Sequence, residues 1–309
     1  MNTIVPFRFR KRNPCWPQYH RALTQRGSLT LYLGSDVEQK WAAGCQDGAR
    51  GRPEVDPDAV IQLGLVLQQV YRLPLRQTAG LLRSVLQLAG LLLPVPDSST
   101  LCRRRRGSSL PRWPKAGGCM VVDSTGLQIR GPGTWLTTVH GERRRTYRKI
   151  HLGVDPTTLL VVAGVVTSCQ LHDSQVLGDV LDVAQPEGGT TVIGDGAYDR
   201  RMCYASAQHH QARLLSPPGK RAVLHDGTGW QTRNQTIEEV RFLGLPDGKR
   251  AVHYGRRSLA ESTMHRLKSA FGQRLRSRQQ GNQVHEALLR AHLLNTWATP
   301  TSLARLTSA

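Results

Sequence analysis

The hydrophobic and polar positions of this chain change their period once, from helical spacing before residue 107 to strand-like spacing after residue 118. Residues 59–70 are mostly apolar, and Asp56 and Pro57 before them suit an N-cap and a first helical position. A second helix is predicted from Pro74 to about Gly90, because its apolar residues fall on one helical face. The first half of the chain is therefore predicted to be mostly helical.

A short third helix is predicted after Asp97, whose side chain can cap it, and this helix carries a run of four arginines at 103–106. Two helices followed by a turn and a basic helix are typical of a helix-turn-helix arrangement. We therefore predict a helical domain at residues 51–110. Before it, residues 1–50 supply a basic arm and one strand, which the alternation at 28–33 predicts.

The second half of the chain, residues 118–309, is predicted to form an α/β domain. Three strands, one helix, a fourth strand and another helix are expected there, at residues 119–127, 147–154, 159–166, 176–183, 191–194 and 200–209. This order favours a mixed sheet in which the first and fourth strands are neighbours. A polar, turn-rich insertion follows at about 217–250, with a helix at 236–241, and two closing helices are predicted at 258–272 and 282–297.

Charge narrows the class of partner. The chain has 42 Lys and Arg against 22 Asp and Glu, a formal net charge of +20, which favours a nucleic acid. No apolar run approaches the roughly 20 residues needed to cross a bilayer, and no signal peptide is recognisable. The six cysteines have neither zinc-site nor disulfide-scaffold spacing, so we predict a cytoplasmic protein with reduced thiols.

Three acidic residues stand out in this basic chain. Asp123 and Asp195 lie at or near the ends of predicted strands, and Glu261 lies at the start of a predicted helix. Carboxylates on two strands and one helix can converge on a hard divalent cation. Each residue also has a purely structural interpretation: a turn for each aspartate, and for Glu261 a capping box that starts at Ser258.

The spacing of Tyr254, Arg257, Glu261 and Lys268 resembles the Tyr-Arg-Glu-Lys signature of DDE transposases from bacterial insertion sequences. The segments around Asp123 and Asp195 resemble the two aspartate motifs of the same enzymes. Further stretches are similar to insertion-sequence family five in particular, at residues 96–101, 147–155 and 275–278. The resemblance covers most of residues 15–297, and His265 departs from it, since an aromatic residue is expected there.

This resemblance implies a ribonuclease H-like mixed-sheet core, without the large all-β insertion of some relatives, preceded by a helical DNA-binding domain. It implies a metal-binding triad of Asp123, Asp195 and Glu261 that holds two Mg²⁺ ions, for which Mn²⁺ can substitute. Arg257 and Lys268 would neutralise phosphate oxygens, with Tyr254 beside the scissile phosphate. Further phosphate contacts are predicted for Arg103, Arg104, Arg105 and Lys149, although a solvated basic strand face is the commoner explanation for Lys149.

The function implied is that of a nucleoid-associated transposase that binds the terminal inverted repeats of its element. It would cut DNA and join the 3′ hydroxyl ends to target duplex DNA, as a homo-oligomer that brings two ends together. Two alternatives stay open. One is a non-catalytic DNA-binding protein derived from a decayed or domesticated transposase, and the other is a nuclease that cuts without joining.

Overall fold

The computed structural model describes residues 20, 23–29, 32, 37–42, 56–129, 147–219, 222–227, 229–243 and 254–298. The basic arm at 8–12 and part of the insertion, at 244–250, lie outside the described residues. Within them the protein is a mixed α/β structure built on one five-stranded sheet. None of the described helices is both long and apolar enough to cross a membrane.

The N-terminal half is helical, as predicted. Its helices are α1 Val37–Ala42, α2 Asp58–Val70, α3 Leu75–Leu88 and α4 Ser98–Arg104, and a 3₁₀ turn, Arg105–Gly107, follows α4. Asp97 caps α4 as expected, because its Oδ1 accepts hydrogen bonds from the amides of Ser99 at 2.8 Å and Thr100 at 2.7 Å. Helix α2 starts one residue later than predicted, with Pro57 rather than Asp56 at the N-cap.

The strand predicted at 28–33 is wrong for the residues that can be described. Leu29 is in a turn and Tyr32 is helical, with its amide bonded to the carbonyl of Leu29 at 3.0 Å. Packing explains the difference, because Tyr32 is only 2% exposed and its hydroxyl accepts a hydrogen bond from Trp297 Nε1 at 3.0 Å. Tertiary contacts of a single tyrosine therefore override the local period-2 pattern.

The sheet has the order β3-β2-β1-β4-β5. Its strands are β1 Cys119–Gln128, β2 Tyr147–Val154, β3 Val161–Ser168, β4 Thr191–Ile193 and β5 Arg213–Leu215. β2 is antiparallel to both β1 and β3, whereas β4 is parallel to both β1 and β5. The predicted contact between the first and fourth strands is confirmed. β5 was not predicted, since three residues are too few to show a period.

Helices cover both faces of this sheet. Helices α5 Asp173–Ala184 and α6 Arg201–His209 lie on one face and share a buried cluster with Met120 and Val122 of β1. Helix α7 Gln231–Leu243 occupies the insertion and is longer than predicted. Helices α8 Ser258–Phe271 and α9 Gln280–Ala298 contribute to the core of the other face.

One hydrophobic core joins the N-terminal helices to that second face. It contains Ile61 and Leu101 from the helices, Leu152 from β2, and Leu267 and Leu293 from α8 and α9. The helices before residue 107 therefore share their core with the sheet and the closing helices.

Candidate active site

The first aspartate lies on the sheet face that α8 covers. Val121 is fully buried in a small cluster with Ile193, Leu215 and Ala260, which belong to β4, β5 and α8. Side chains two residues apart on a strand share a face, so Asp123 points to the same side as Val121. The parallel register pairs Val121 with Ile193, and Asp195 follows Ile193 at the same offset of two residues. The strand pairing thus brings the two aspartates side by side, as predicted.

The backbone at Asp195 is held in place by a serine that the sequence analysis missed. Asp195 caps the short 3₁₀ turn Gly196–Tyr198, with its Oδ1 accepting a hydrogen bond from the amide of Ala197 at 2.9 Å. Its carbonyl oxygen accepts a 2.6 Å hydrogen bond from the hydroxyl of Ser216, which is only 2% exposed. Ser216 follows β5, so the only signal that could have revealed it was a strand too short to predict.

Glu261 reaches the site from α8. The neighbouring Ala260 is completely buried against β1, β4 and β5, so this turn of α8 lies over the two aspartate-bearing segments. The carboxylate of Glu261 is 50% exposed and accepts a hydrogen bond from Arg257 Nη2. The predicted capping box is absent here, because Arg257 is the N-cap of α8 and makes no capping side-chain bond, while the hydroxyl of Ser258 donates to the carbonyl of Gly255.

The electrostatics of Asp123 show that these groups share one environment. Burial is the largest cause that raises its pKa, and the hydrogen bond from the amide of Ser124 opposes that shift. The charges of Asp195 and Glu261 also raise the pKa of Asp123, whereas Arg257 lowers it. The structure therefore brings together four of the predicted residues: three carboxylates and the arginine of the signature.

Tyr198 supports the backbone that carries Asp195. A Cβ on Gly194 would lie 2.6 Å from Cδ2 of Tyr198, so the tyrosine ring packs directly on the backbone that precedes Asp195. Tyr198 is only 3% exposed, and burial together with three nearby aspartates raises its pKa well above the ordinary value, the aspartates being Asp173, Asp123 and Asp195. The buried phenol is therefore neutral at neutral pH.

The donor set fits a hard divalent cation in its chemistry, since all three groups are carboxylates. Among the described residues, however, no group of three or more His, Cys, Asp or Glu side chains is arranged to hold a metal. The carboxylate of Glu261 is paired with Arg257 instead. A role for Glu261 as a metal ligand would require its carboxylate to leave Arg257.

The remaining signature residues lie on or beside α8. Lys268 is partly buried and lies on the same helix two turns after Glu261, which places both on one side of the helix. Tyr254 begins the 3₁₀ turn Tyr254–Arg257 that leads into α8, and its side chain lies outside the described part of the structure.

Four other predicted phosphate contacts lie elsewhere. Lys149 is on the opposite sheet face from Asp123, where its Nζ bonds to Asp173 Oδ1 at 2.9 Å. Arg104 pairs with Asp58, and Arg105 is only 4% exposed. Arg103 is exposed, so it is the member of this group whose side chain faces solvent. The structure does not bring any of these residues to the carboxylates.

Family models match this chain in two places. A model described as "Transposase DDE domain" matches residues 114–296, and a second model with the same description matches residues 24–132. The first match covers more than half of the chain, including Asp123, Asp195 and Glu261. The chain belongs to the transposase DDE domain family. The general class that the sequence resemblance predicted is thereby confirmed.

Two solved structures show distant similarity to this DDE transposase. One is the cryo-EM structure of the piggyBac transposase synaptic complex with hairpin DNA, which is 8% identical at a TM-score of 0.38, with 93% of this chain and 77% of that chain covered. The other is a simian T-cell lymphotropic virus intasome in complex with PP2A regulatory subunit B56 gamma, 13% identical at a TM-score of 0.24, with 72% and 74% covered. At such scores neither likeness establishes a shared fold.

Proposed function

We propose that this transposase binds the terminal inverted repeats of its own insertion sequence, cuts DNA at the ends and transfers the 3′ hydroxyls to target DNA. The observation that carries the proposal is the meeting of Asp123, Asp195 and Glu261 on one face of the sheet, within the matched family domain. Two parallel strands and an overlying helix supply these groups, which makes their geometry a property of the fold.

The proposal assigns Mg²⁺, with Mn²⁺ as a substitute, to the three carboxylates. When bound, two such ions activate the attacking oxygen and stabilise the leaving oxygen of an in-line phosphoryl displacement. Asp123 and Asp195 would hold the ions from adjacent strands, and Glu261 would complete the set from α8. Arg257, released by Glu261, would then neutralise a non-bridging phosphate oxygen through its planar guanidinium.

Lys268 and Tyr254 are assigned to the DNA beside the reacting phosphate. Lys268 provides a point charge farther along α8, and Tyr254 provides a ring or hydroxyl at the turn before it. Of the arginine run, we assign a phosphate contact to Arg103, because Arg104 and Arg105 are paired within the protein. Lys149 likewise has a structural partner in Asp173.

The finer family assignment belongs to this proposal as well. We assign the chain to insertion-sequence family five, with a ribonuclease H-like core, on its motifs and on the adjacency of β1 and β4. Helices α2–α4 are proposed as the region that binds the terminal repeats. Because two DNA ends must be brought together, we propose that the protein acts as a homo-oligomer. Because its substrate is DNA, we propose that it is associated with the nucleoid.

Purified protein with Mg²⁺ and duplex DNA that carries the flanking inverted repeats tests the reaction, with Asp123→Asn as the control. Metal-dependent cleavage and joining to a target plasmid, both absent in Asp123→Asn, are expected. Cleavage without joined product would favour the nuclease alternative. Binding without cleavage would favour a decayed or domesticated DNA-binding protein.

Glu261→Gln is the sharpest single change, and we expect it to lower strand transfer by at least about 100-fold, as for loss of other groups that stabilise transition-state charge. Glutamine can still accept a hydrogen bond from Arg257, so the fold and DNA binding should persist. Thermal unfolding, DNA affinity and strand transfer are measured together. Full activity in a folded Glu261→Gln protein would contradict a metal-ligand role for Glu261.

A further inference from the structure

A large groove lies between the N-terminal helices and the segment that joins α8 to α9. Its volume is about 1330 Å³. The α3 side contributes Leu75 and Arg76, α4 contributes Ser99 and Cys102, and the far wall is the connecting segment at residues 272–279. We call it the arginine groove, after six lining residues: Arg72, Arg76, Arg105, Arg274, Arg276 and Arg278.

The charge of the groove has one sign. Neither Asp nor Glu occurs among the described residues that line it, whereas six arginines do. Three of these arginines are held by protein groups: Arg72 by the carbonyls of Ser269 and Ala270, Arg274 by Gln128, and Arg105 by Glu286. Arg76, Arg276 and Arg278 are exposed at the surface of the groove. A concave surface with this charge focuses a positive potential and attracts a polyanion.

The connecting segment presents its arginines in a regular way. Leu275 and Ser277 are buried, while Arg274, Arg276 and Arg278 between and beside them are exposed, which is the alternation of an extended strand. Alternate residues of such a strand are about 6.6 Å apart, close to the axial rise of two phosphates on one DNA strand. Arg274, Arg276 and Arg278 therefore leave the backbone on one side of the segment, in a row.

A buried ion pair holds this row in place. The carboxylate of Glu286, which is 0% exposed, accepts hydrogen bonds from the amides of Arg276 at 2.9 Å and Ser277 at 2.8 Å. Arg290, 1% exposed, bonds to the same carboxylate at 2.6 Å and to the carbonyl of Arg274 at 2.9 Å. The backbone of the segment is thus fixed from below, and its arginines project from a rigid base.

The groove begins near the end of β1. Gln128, the last residue of that strand, lines the groove, and Asp123 lies five residues earlier on the same strand. Five strand residues span about 17 Å, which corresponds to about five base pairs of duplex DNA. Along β1, the near end of the groove is therefore about five base-pair rises from Asp123.

We propose that the arginine groove binds the phosphate backbone of duplex DNA about five base pairs from the reacting phosphate. This inference rests on the proposed function and adds to it a sequence-independent anchor beside the active site. Contacts of this kind position DNA and do not read its bases.

The test compares two double variants that each lose two exposed arginines. Arg276→Ala with Arg278→Ala removes two exposed arginines of the groove, and Arg112→Ala with Arg213→Ala removes two exposed arginines that lie outside both the groove and helices α2–α4. Binding to end DNA and to a random duplex of equal length is measured from about 50 to 200 mM salt. We expect the groove variant to bind both duplexes roughly ten-fold more weakly than the wild type. The slope of log affinity against log salt concentration should fall in magnitude by about two in this variant and stay at the wild-type value in the control.

Cys102 provides a second readout in the wild-type protein, because this exposed thiol lines the groove. Duplex DNA should slow its reaction with N-ethylmaleimide, followed by peptide mass spectrometry, and should leave Cys169 outside the groove unaffected. The Arg276→Ala, Arg278→Ala protein should lose this protection. Unchanged labelling of Cys102 on a DNA-saturated protein, or equal slopes in the two double variants, would overturn the proposal.

The two proposals fail in different ways. If the DNA affinity depends on Arg276 and Arg278 but the protein does not cleave end DNA, the groove proposal stands and the proposed reaction is refuted. If the protein cleaves and joins DNA ends but the salt dependence of its DNA affinity does not change on replacing Arg276 and Arg278, the proposed reaction stands and the groove proposal is refuted.

Discussion

Single atoms decide the geometry around the second aspartate. Gly194 has no Cβ, and a methyl group there would lie 2.6 Å from Cδ2 and 2.9 Å from Cγ of Tyr198. The sequence suggested only that glycines beside Asp195 favour a turn. In the structure, glycine is required at position 194 because the buried ring of Tyr198 packs too closely to leave room for a Cβ.

Gly194→Ala should therefore displace either the ring or the backbone that carries Asp195. We expect a loss of about 1–3 kcal/mol in the free energy of unfolding, as for other overpacked sites, and a marked loss of DNA cleavage. Urea unfolding and a cleavage assay measure the two effects. Gly196→Ala is the matched control, because its Cβ would meet the carbonyl of Pro217 at an ordinary 3.7 Å. Equal behaviour of the two variants would refute the steric argument.

The buried pair of Glu286 and Arg290 makes a second prediction at this scale. Burial lowers the pKa of both Arg290 and Arg105, and Glu286 opposes that shift in each case. Removing one partner of a buried pair leaves the other charge uncompensated, at a cost of about 3–5 kcal/mol. Glu286→Gln should lower the free energy of unfolding by an amount near this range, measured with urea.

A double-mutant cycle with Arg290→Met checks the coupling. The combined variant should be more stable than the sum of the single losses predicts, since Arg290 is then no longer a buried cation without its carboxylate, and only Arg105 still faces the missing Glu286. Strict additivity of the two changes would show that Glu286 and Arg290 do not stabilise each other.

At the scale of elements, the sequence predicts long periodic segments and misses contacts made by short ones. β2 was predicted at its observed bounds, and α3, α5, α8 and α9 lie where their patterns placed them, because an amphipathic face spans several turns. β5 has three residues, so no pattern could reveal it or the role of Ser216 after it. The strand expected at 28–33 is wrong for the described residues, because Leu29 lies in a turn and the buried Tyr32 is helical.

The arginine run shows a further limit of local pattern. Successive residues of a helix point about 100° apart, so four consecutive arginines cannot share one environment. Arg103 faces solvent, Arg104 binds Asp58, and Arg105 turns into the core to meet Glu286. The partners of Arg104 and Arg105 lie far away in sequence, and only the tertiary fold distinguishes a DNA contact from a structural cation.

The candidate site was predictable in its residues but not in its present arrangement. The strand order needed to join Asp123 and Asp195 followed from the order of the elements. The pairing of Glu261 with Arg257 instead of a capping box depends on where α8 starts, and helix ends are the least certain feature of a sequence pattern. The arginine groove is formed by segments that are distant in the chain, so it could not be predicted from the sequence and is visible only in the folded structure.

At the scale of the whole molecule, acid should destabilise this protein through its buried histidines. Burial is the main cause that lowers the pKa of His151 and His285 to about 4 and that of His292 to about 3. The unfolded chain, with histidine pKa values near 6.5, therefore binds more protons than the folded one below neutrality. The free energy of unfolding is therefore highest above about pH 6.5 and declines as the pH falls towards 4.

At pH 5 a histidine that is protonated in the unfolded chain and neutral in the folded protein lowers the free energy of unfolding by roughly 2 kcal/mol, so three of them remove a large part of the stability of an ordinary domain. We expect cooperative acid unfolding near about pH 5 by circular dichroism, and a steep loss of urea stability between about pH 7 and 5. His292→Phe isolates one contribution, because Phe can keep the stack on Trp113, whose ring centroid lies 3.6 Å from that of His292. This variant should lose less stability over the same interval. An unchanged pH dependence would show that His292 is not among the groups that take up protons on unfolding, and would shift the explanation to self-repulsion by the net charge of +20, which added salt would relieve.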